Sequence, residues 1–309
     1  MQNFAARSGW QLIVAGDRKT PSDWQCDNVR FLSAQAQEER GFKLTHALPW
    51  NHYCRKMIGY LDAISLGAEQ IVDTDDDNIP KENWSFPASD GVFETTNNDL
   101  GFVNVYRAFT GMPIWPRGFP LERIQSDVHH LAGKSQRTKV GIWQGLADGD
   151  PDVDAIYRLT NNEPCYFAER GPLVLGRGTW CPFNSQNTLF VRELFPLLYL
   201  PAFVTFRFTD ILRGLIAQPI AWAAGYHLGF TSATVVQERN AHDYLKDFES
   251  EIPCYLLVQK VADIVSAVVR DSASITDNLS NSYEALHAAG VVQEEELRVL
   301  SAWLEDLRA

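Results

Sequence analysis

The chain has 309 residues, enough for one large domain or a domain with an appendage. Apolar residues make up 45% and charged residues 21%, a globular balance that excludes low-complexity disorder and collagen-like or coiled-coil arrays. With 27 Lys plus Arg against 39 Asp plus Glu, the net charge of −12 repels phosphate backbones and anionic lipid, so nucleic acid and membrane surfaces are poor candidate partners.

In chain order, Trp10–Ala15 is a short apolar run ending at Gly16-Asp17, which predicts a buried strand feeding a loop through Pro21. Val29–Leu32 predicts a weaker strand. Tyr53–Leu66 carries apolar residues at helical spacing with Gly67 as its stop, and Gln70–Asp73 predicts a strand entering a run of acids. Strand, helix and strand in that order predict a right-handed crossover and a parallel pair. Residues 84–190 are richer in Pro, Gly, Asn and Trp and predict short strands carrying long functional loops. From Asp210 onward the pattern is helical, near 211–224, over 255–269 and over 294–307. The expected fold is α/β, with a mainly parallel sheet flanked by helices over residues 1–252. Residues 253–309 then form a helical appendage that closes the core or makes a homodimer contact.

The cysteines, Cys26, Cys54, Cys165, Cys181 and Cys254, are far apart and odd in number, which predicts reduced thiols and a cytoplasmic location. The longest apolar stretch, Leu194 to Phe206, is interrupted by Pro196 and Pro201 and is too short to span a bilayer. No transmembrane segment or secretory signal is therefore expected.

The chemistry concentrates at Asp73, Asp75, Asp76 and Asp77. Four carboxylates within five residues repel one another, and a chain tolerates this when a cation neutralises them. Past the end of an apolar strand they sit where α/β proteins bind ligands, and hard oxygen donors favour Mg²⁺ or Mn²⁺ with substrate phosphates completing the shell. The alternative is a solvated acidic loop. An EF-hand fails because its sixth position lacks glycine.

Arg55 and Lys56 open the helix that leads into this strand, against its macrodipole, so they are either diphosphate contacts or a solvated first turn. In the first loop, Asp17 is placed to accept from a base or ribose and Lys19 to reach phosphate. Asn184, Gln186 and Asn187 form an amide-rich run suited to sugar hydroxyls, with Trp180 and Phe183 to cover an apolar sugar face; the other reading is a helix cap. Arg207, Asp210 and Arg213 at i, i+3 and i+6 are either an ion-pair ladder or a site in which Asp210 orients an acceptor hydroxyl. His242 is a candidate metal ligand or phosphate contact, and His129-His130 read as surface. No nucleophile elbow, Walker loop or dinucleotide fingerprint is present.

Eight ordered motifs between about residues 10 and 250 resemble the STELLO-type glycosyltransferases. They are Val14–Pro21, Arg55–Tyr60, Asp73–Asp77, Trp115–Pro120, Gly149–Thr160, Pro182–Thr188, Phe206–Gly214 and Arg239–His242. The resemblance implies a GT-A-like nucleotide-sugar domain, a divalent metal held by the four acids, and transfer from a nucleotide-sugar donor, UDP-linked by expectation, to a carbohydrate or glycoconjugate acceptor. It adds Arg117, in the fourth motif, to the substrate-binding set with Arg207 and Arg213. Plant members are Golgi proteins with a membrane anchor, a location not carried over here. A similar acidic signature in nucleotide-arabinose mutases keeps a pyranose–furanose mutase open, and a catalytically silent sugar-nucleotide scaffold is the reading from another class.

Overall fold

A computed structural model describes residues 2–21, 23–125, 131, 133–238 and 243–308. The chain opens with α1 (Gln2–Ser8), β1 (Leu12–Ala15), β2 (Val29–Leu32), α2 (Ala34–Glu39), α3 (Lys43–Ala47) and α4 (Lys56–Ser65). The predicted helix at residue 53 begins as a 3-10 turn, Tyr53–Arg55, and ends before Gly67, whose φ of 83° is open to glycine without strain. There follow β3 (Gln70–Thr74), β4 (Asn78–Pro80), β5 (Asp90–Thr95), β6 (Gly101–Phe102), β7 (Lys134–Gly149), α5 (Ala155–Thr160), β8 (Leu173–Val174), β9 (Thr179–Trp180) and β10 (Asn187–Val191). The last third contains α6 (Thr209–Ala223), β11 (His227–Gln237), α7 (Tyr244–Val268), α8 (Ile275–Ala288) and α9 (Glu294–Asp306).

The fold is mixed α/β, and the expectation of a mainly parallel sheet is overturned. In the seven-stranded sheet β3–β10, β10–β7, β7–β5, β8–β11 and β11–β4 are antiparallel; only β7–β11 and β5–β8 are parallel. The predicted crossover pair is not made either: β1 pairs in parallel with β2, while β3 lies against β10. The reason is the middle of the chain. Residues expected to form only short strands include the 16-residue β7, whose inner half is buried on both faces and offers both edges to neighbours.

The turn between β3 and β4 is not a hairpin, since the two strands pair with different partners, β10 and β11. Asp73 stands opposite Thr188, and Asn78 opposite Gln237. α6, buried along almost its whole length, presses onto the loop before β10; a Cβ at Gly214 would lie 2.8 Å from the Phe183 carbonyl oxygen, so the close approach needs glycine. Val258, Val261, Leu279 and Trp303 of α7–α9 belong to the same hydrophobic core as Ile142 and Phe190 of the sheet. Glu296 on α9 is buried and accepts from the Ala202 and Phe203 amides at 3.0 and 2.8 Å, which ties that helix to the loop ahead of α6. No helix among the described residues is long and apolar enough to cross a membrane.

Candidate functional site

Alternation along β3 points Asp73 inward, where it is buried between two cations. Lys56 Nζ lies 2.7 Å from one carboxylate oxygen and Arg213 Nη1 2.8 Å from the other. Burial opposes its charge, but Lys56 and Arg213 outweigh that and hold the carboxyl below the usual range. Lys56 is in turn held charged by Asp73 and Asp75 against the effect of burial. The anion that a basic helix start calls for is thus supplied by the protein itself.

Asp75, on the turn, is partly open. Its Oδ1 lies 3.1 Å from Lys56 Nζ and 3.3 Å from the Tyr53 hydroxyl. Burial pushes this carboxyl up to about 6, with Lys56 offsetting part of the effect and Asp73 adding to it. Asp76 is exposed. Asp77 accepts from Gln237 Nε2 at 3.0 Å through Oδ2, while its Oδ1 is buried with no hydrogen-bond partner among the described residues. The acids therefore do not converge on one point: Asp73 is paired inward, Asp75 and Asp77 flank the turn, and Asp76 faces water. Among the described residues no three His, Cys, Asp or Glu side chains gather to hold a metal ion.

Behind the turn lies a second set of charges. Arg117 Nη2 reaches Asp152 at 2.7 Å and Asp210 at 3.0 Å. Asp152 also accepts from Asn184 Nδ2 at 3.0 Å, and Arg207 spans Glu251 at 2.8 Å and Asp152 at 3.5 Å. Asp210 takes the Ser185 and Ile211 amides at 3.2 and 3.0 Å besides Arg117. The ladder read from the i, i+3, i+6 spacing does not form. Arg207 sits on a 3-10 turn before α6, and its ion-pair partners, like those of Asp210 and Arg213, come from other elements.

The remaining sequence candidates separate clearly. Arg55 is buried, donates to Gln37 and Thr45 and lies 3.7 Å over the Trp50 ring; burial lowers it to about 10. Asp17 accepts from the Asn51 and His52 amides at 2.7 and 3.0 Å, which closes the first loop onto the start of α4, and Lys19 is exposed on that loop. Gln186 donates to Gln237, the residue that holds Asp77. Asn187 is buried on β10 between Trp84 Nε1 at 3.1 Å and Thr234 at 2.8 Å. Residues 184–187 lead into a strand, so the helix-cap reading fails. Trp180 and Phe183 are core residues. His242, with Arg239, Asn240 and Ala241, lies outside the described residues, as do His129 and His130.

Sequence reasoning missed Tyr53, Gln237, Asp152 and Glu251 as members of these networks. Tyr53 carried one weak signal, its position three residues before Lys56. Gln237 and Glu251 carried none.

Residues 207–309 match the family model described as STELLO glycosyltransferases. The chain is 30% identical over 324 residues to "Probable glycosyltransferase STELLO1" of Arabidopsis thaliana, an alignment covering 97% of this chain and 41% of that protein. It is likewise 30% identical over 322 residues to "Probable glycosyltransferase STELLO2" of the same plant, with coverage of 97% and 41%. The chain thus spans about two-fifths of the length of these curated relatives.

Proposed function

Because the chain belongs to the STELLO glycosyltransferase family, we propose that it moves a sugar from a nucleotide diphosphate, UDP by preference, to an acceptor hydroxyl on a GT-A-like scaffold. The observation that carries this reading is the acid turn: two carboxylates two residues apart at the end of β3, one with a buried oxygen that has no hydrogen-bond partner among the described residues. Asp75 and Asp77 suit a hard divalent cation, Mn²⁺ or Mg²⁺, which is commonly held by one or two carboxylates with waters and substrate phosphates filling its shell. When bound, such an ion supplies charge neutralisation for a departing diphosphate.

The chain's own groups then have distinct tasks. Lys56 and Tyr53 fix the Asp75 side chain, and Gln237 fixes Asp77. Lys19, exposed on the loop that Asp17 closes over residues 51 and 52, is the cation offered to the diphosphate. Asp210, its oxygens already taken by Arg117 and two amides, positions the loop of Asn184 and Ser185 and is not a base.

A ligand that binds the folded state raises its melting point by mass action. UDP with Mn²⁺ is expected to stabilise the wild-type chain, UDP alone far less, and Asp75→Asn and Asp77→Asn are expected to lose the metal-dependent part. A shift unchanged in both variants would overturn the assignment. Metal-dependent binding without transfer, hydrolysis or isomerisation across a panel of donors would favour the scaffold reading.

A further inference from the structure

We propose that Phe206, braced by Tyr53, is the stacking platform for the acceptor sugar, an inference that rests on the glycosyltransferase reading above. Phe206 opens the 3-10 turn Phe206–Phe208 and is 59% exposed, whereas Phe208 on the same turn is 1% exposed. An apolar ring left in water beside a well-packed core is unfavourable, and here the backbone keeps it there. On one side the Thr205 hydroxyl donates to the Ser250 carbonyl at 2.6 Å. On the other, the Arg207 amide donates to the Ser250 hydroxyl at 3.1 Å, and the Arg207 guanidinium is tied down by Glu251. With both neighbours anchored to α7, the turn cannot roll its first residue inward without breaking those bonds.

The exposed ring is joined to the acid turn. Tyr53 packs against Phe206 edge-on, with centroids 5.3 Å apart and planes at 75°, and the Tyr53 hydroxyl lies 3.3 Å from Asp75 Oδ1. Lys56 Nζ, 4.6 Å from the Tyr53 ring centroid, holds that ring from its other contact. A sugar laid on Phe206 is therefore one aromatic residue away from a carboxylate of the metal turn.

A pyranose has the matching chemistry: a face of C–H groups that gains from an aromatic surface, and an edge of hydroxyls that needs polar partners. Phe206 supplies the first, and the Tyr53 hydroxyl and Asp75 supply the second. Trp180 and Phe183, the aromatics that the sequence offered for this task, are 7% and 2% exposed and face the core. Phe248 and Tyr166 are also exposed, but no contact to the acid turn accompanies them among the described residues.

The test uses the whole chain loaded with UDP and diamagnetic Mg²⁺ and a set of probes, the methyl glycosides of glucose, galactose, mannose and xylose at millimolar concentration. Saturation-transfer NMR is expected to show contact to the ring C–H protons of at least one glycoside. Phe206→Ala should weaken that binding about three- to tenfold, Phe206→Trp should retain it, and Phe248→Ala, the control for an exposed aromatic elsewhere, should leave it unchanged. The UDP–Mn²⁺ thermal shift should be the same in wild type and all three variants. No contact with any glycoside on the UDP-loaded wild type, or equal contact in Phe206→Ala, overturns the platform while leaving nucleotide binding intact. Absence of the UDP–Mn²⁺ shift from wild type overturns the glycosyltransferase reading instead, and the platform with it.

Discussion

The acid turn and the charge network behind it use the same residue types within one region of the fold, yet their electrostatics differ. In the network, Asp152 and Asp210 are matched by Arg117, Arg207, Asn184 and backbone amides, so each charge is neutralised and each lone pair occupied. In the turn, Asp73 is neutralised by Lys56 and Arg213, but Asp77 keeps an oxygen without a hydrogen-bond partner among the described residues and Asp75 is lifted to about 6 because burial exceeds what Lys56 returns. A saturated set of charges is a structural element, while an undersatisfied one is where an external cation gains most. Proximity in sequence did not separate the two; partner count does.

The largest expected effect breaks the saturated side. Arg117→Met leaves Asp152 and Asp210 buried and short of their shared cation, so unfolding in urea should lose about 3–5 kcal/mol. A loss below about 1 kcal/mol would mean that the network is not what holds the Asn184 loop on α6. The next effect is a pH dependence at its margin. Asp154 caps α5 and accepts from Trp115 Nε1 and the Tyr157 amide, and burial, with Glu251 nearby, lifts it to about 6 against those bonds. Its folded value lies above its unfolded one, so the folded state binds the proton more tightly. The stabilisation is full below about pH 4 and is lost as pH rises through 6. Asp154→Asn should remove that slope, about 2–3 kcal/mol between pH 4 and 7. Parallel stability–pH curves for variant and wild type would refute the assignment.

On the open side, Tyr53→Phe removes the hydroxyl from Asp75. A stability cost of about 0.5–1.5 kcal/mol is expected from one lost hydrogen bond, together with Mn²⁺ affinity reduced about tenfold. Unchanged Mn²⁺ affinity in the presence of UDP would show that Asp75 is oriented without Tyr53.

The sequence was most legible where a local pattern decides the outcome. β1, β2, the helix leading to Asp73, α6 and α9 follow from apolar spacing and stop residues alone. The sheet was not legible, because strand direction depends on β7, whose partners lie far along the chain and leave no local trace. The site shows the same division. Four clustered acids marked the turn, but neither spacing nor composition could say that Asp73 turns inward to Arg213, 140 positions away, or that Arg55 faces Gln37 while its neighbour Lys56 faces the acids. Phe206 lay inside a recognised motif, yet its exposure follows from Ser250 on α7 and could not be read from residues 206–214.

The smallest expected effect is the sharpest test of the comparison. Asp76 lies between Asp75 and Asp77, carries the same charge, and by sequence alone is their equal. In the fold it is exposed, while its neighbours are held by Lys56 and Tyr53 on one side and Gln237 on the other. A carboxylate in water has little desolvation for a cation to relieve and no partner fixing its direction, so its attraction for the ion is screened. Asp76→Ala should change stability by no more than about 0.5 kcal/mol and leave the UDP–Mn²⁺ thermal shift in place. If that variant instead abolishes the shift as Asp75→Asn is expected to, the ion is gripped from the solvent face of the turn. Partner count would then be the wrong guide to which acids carry the chemistry.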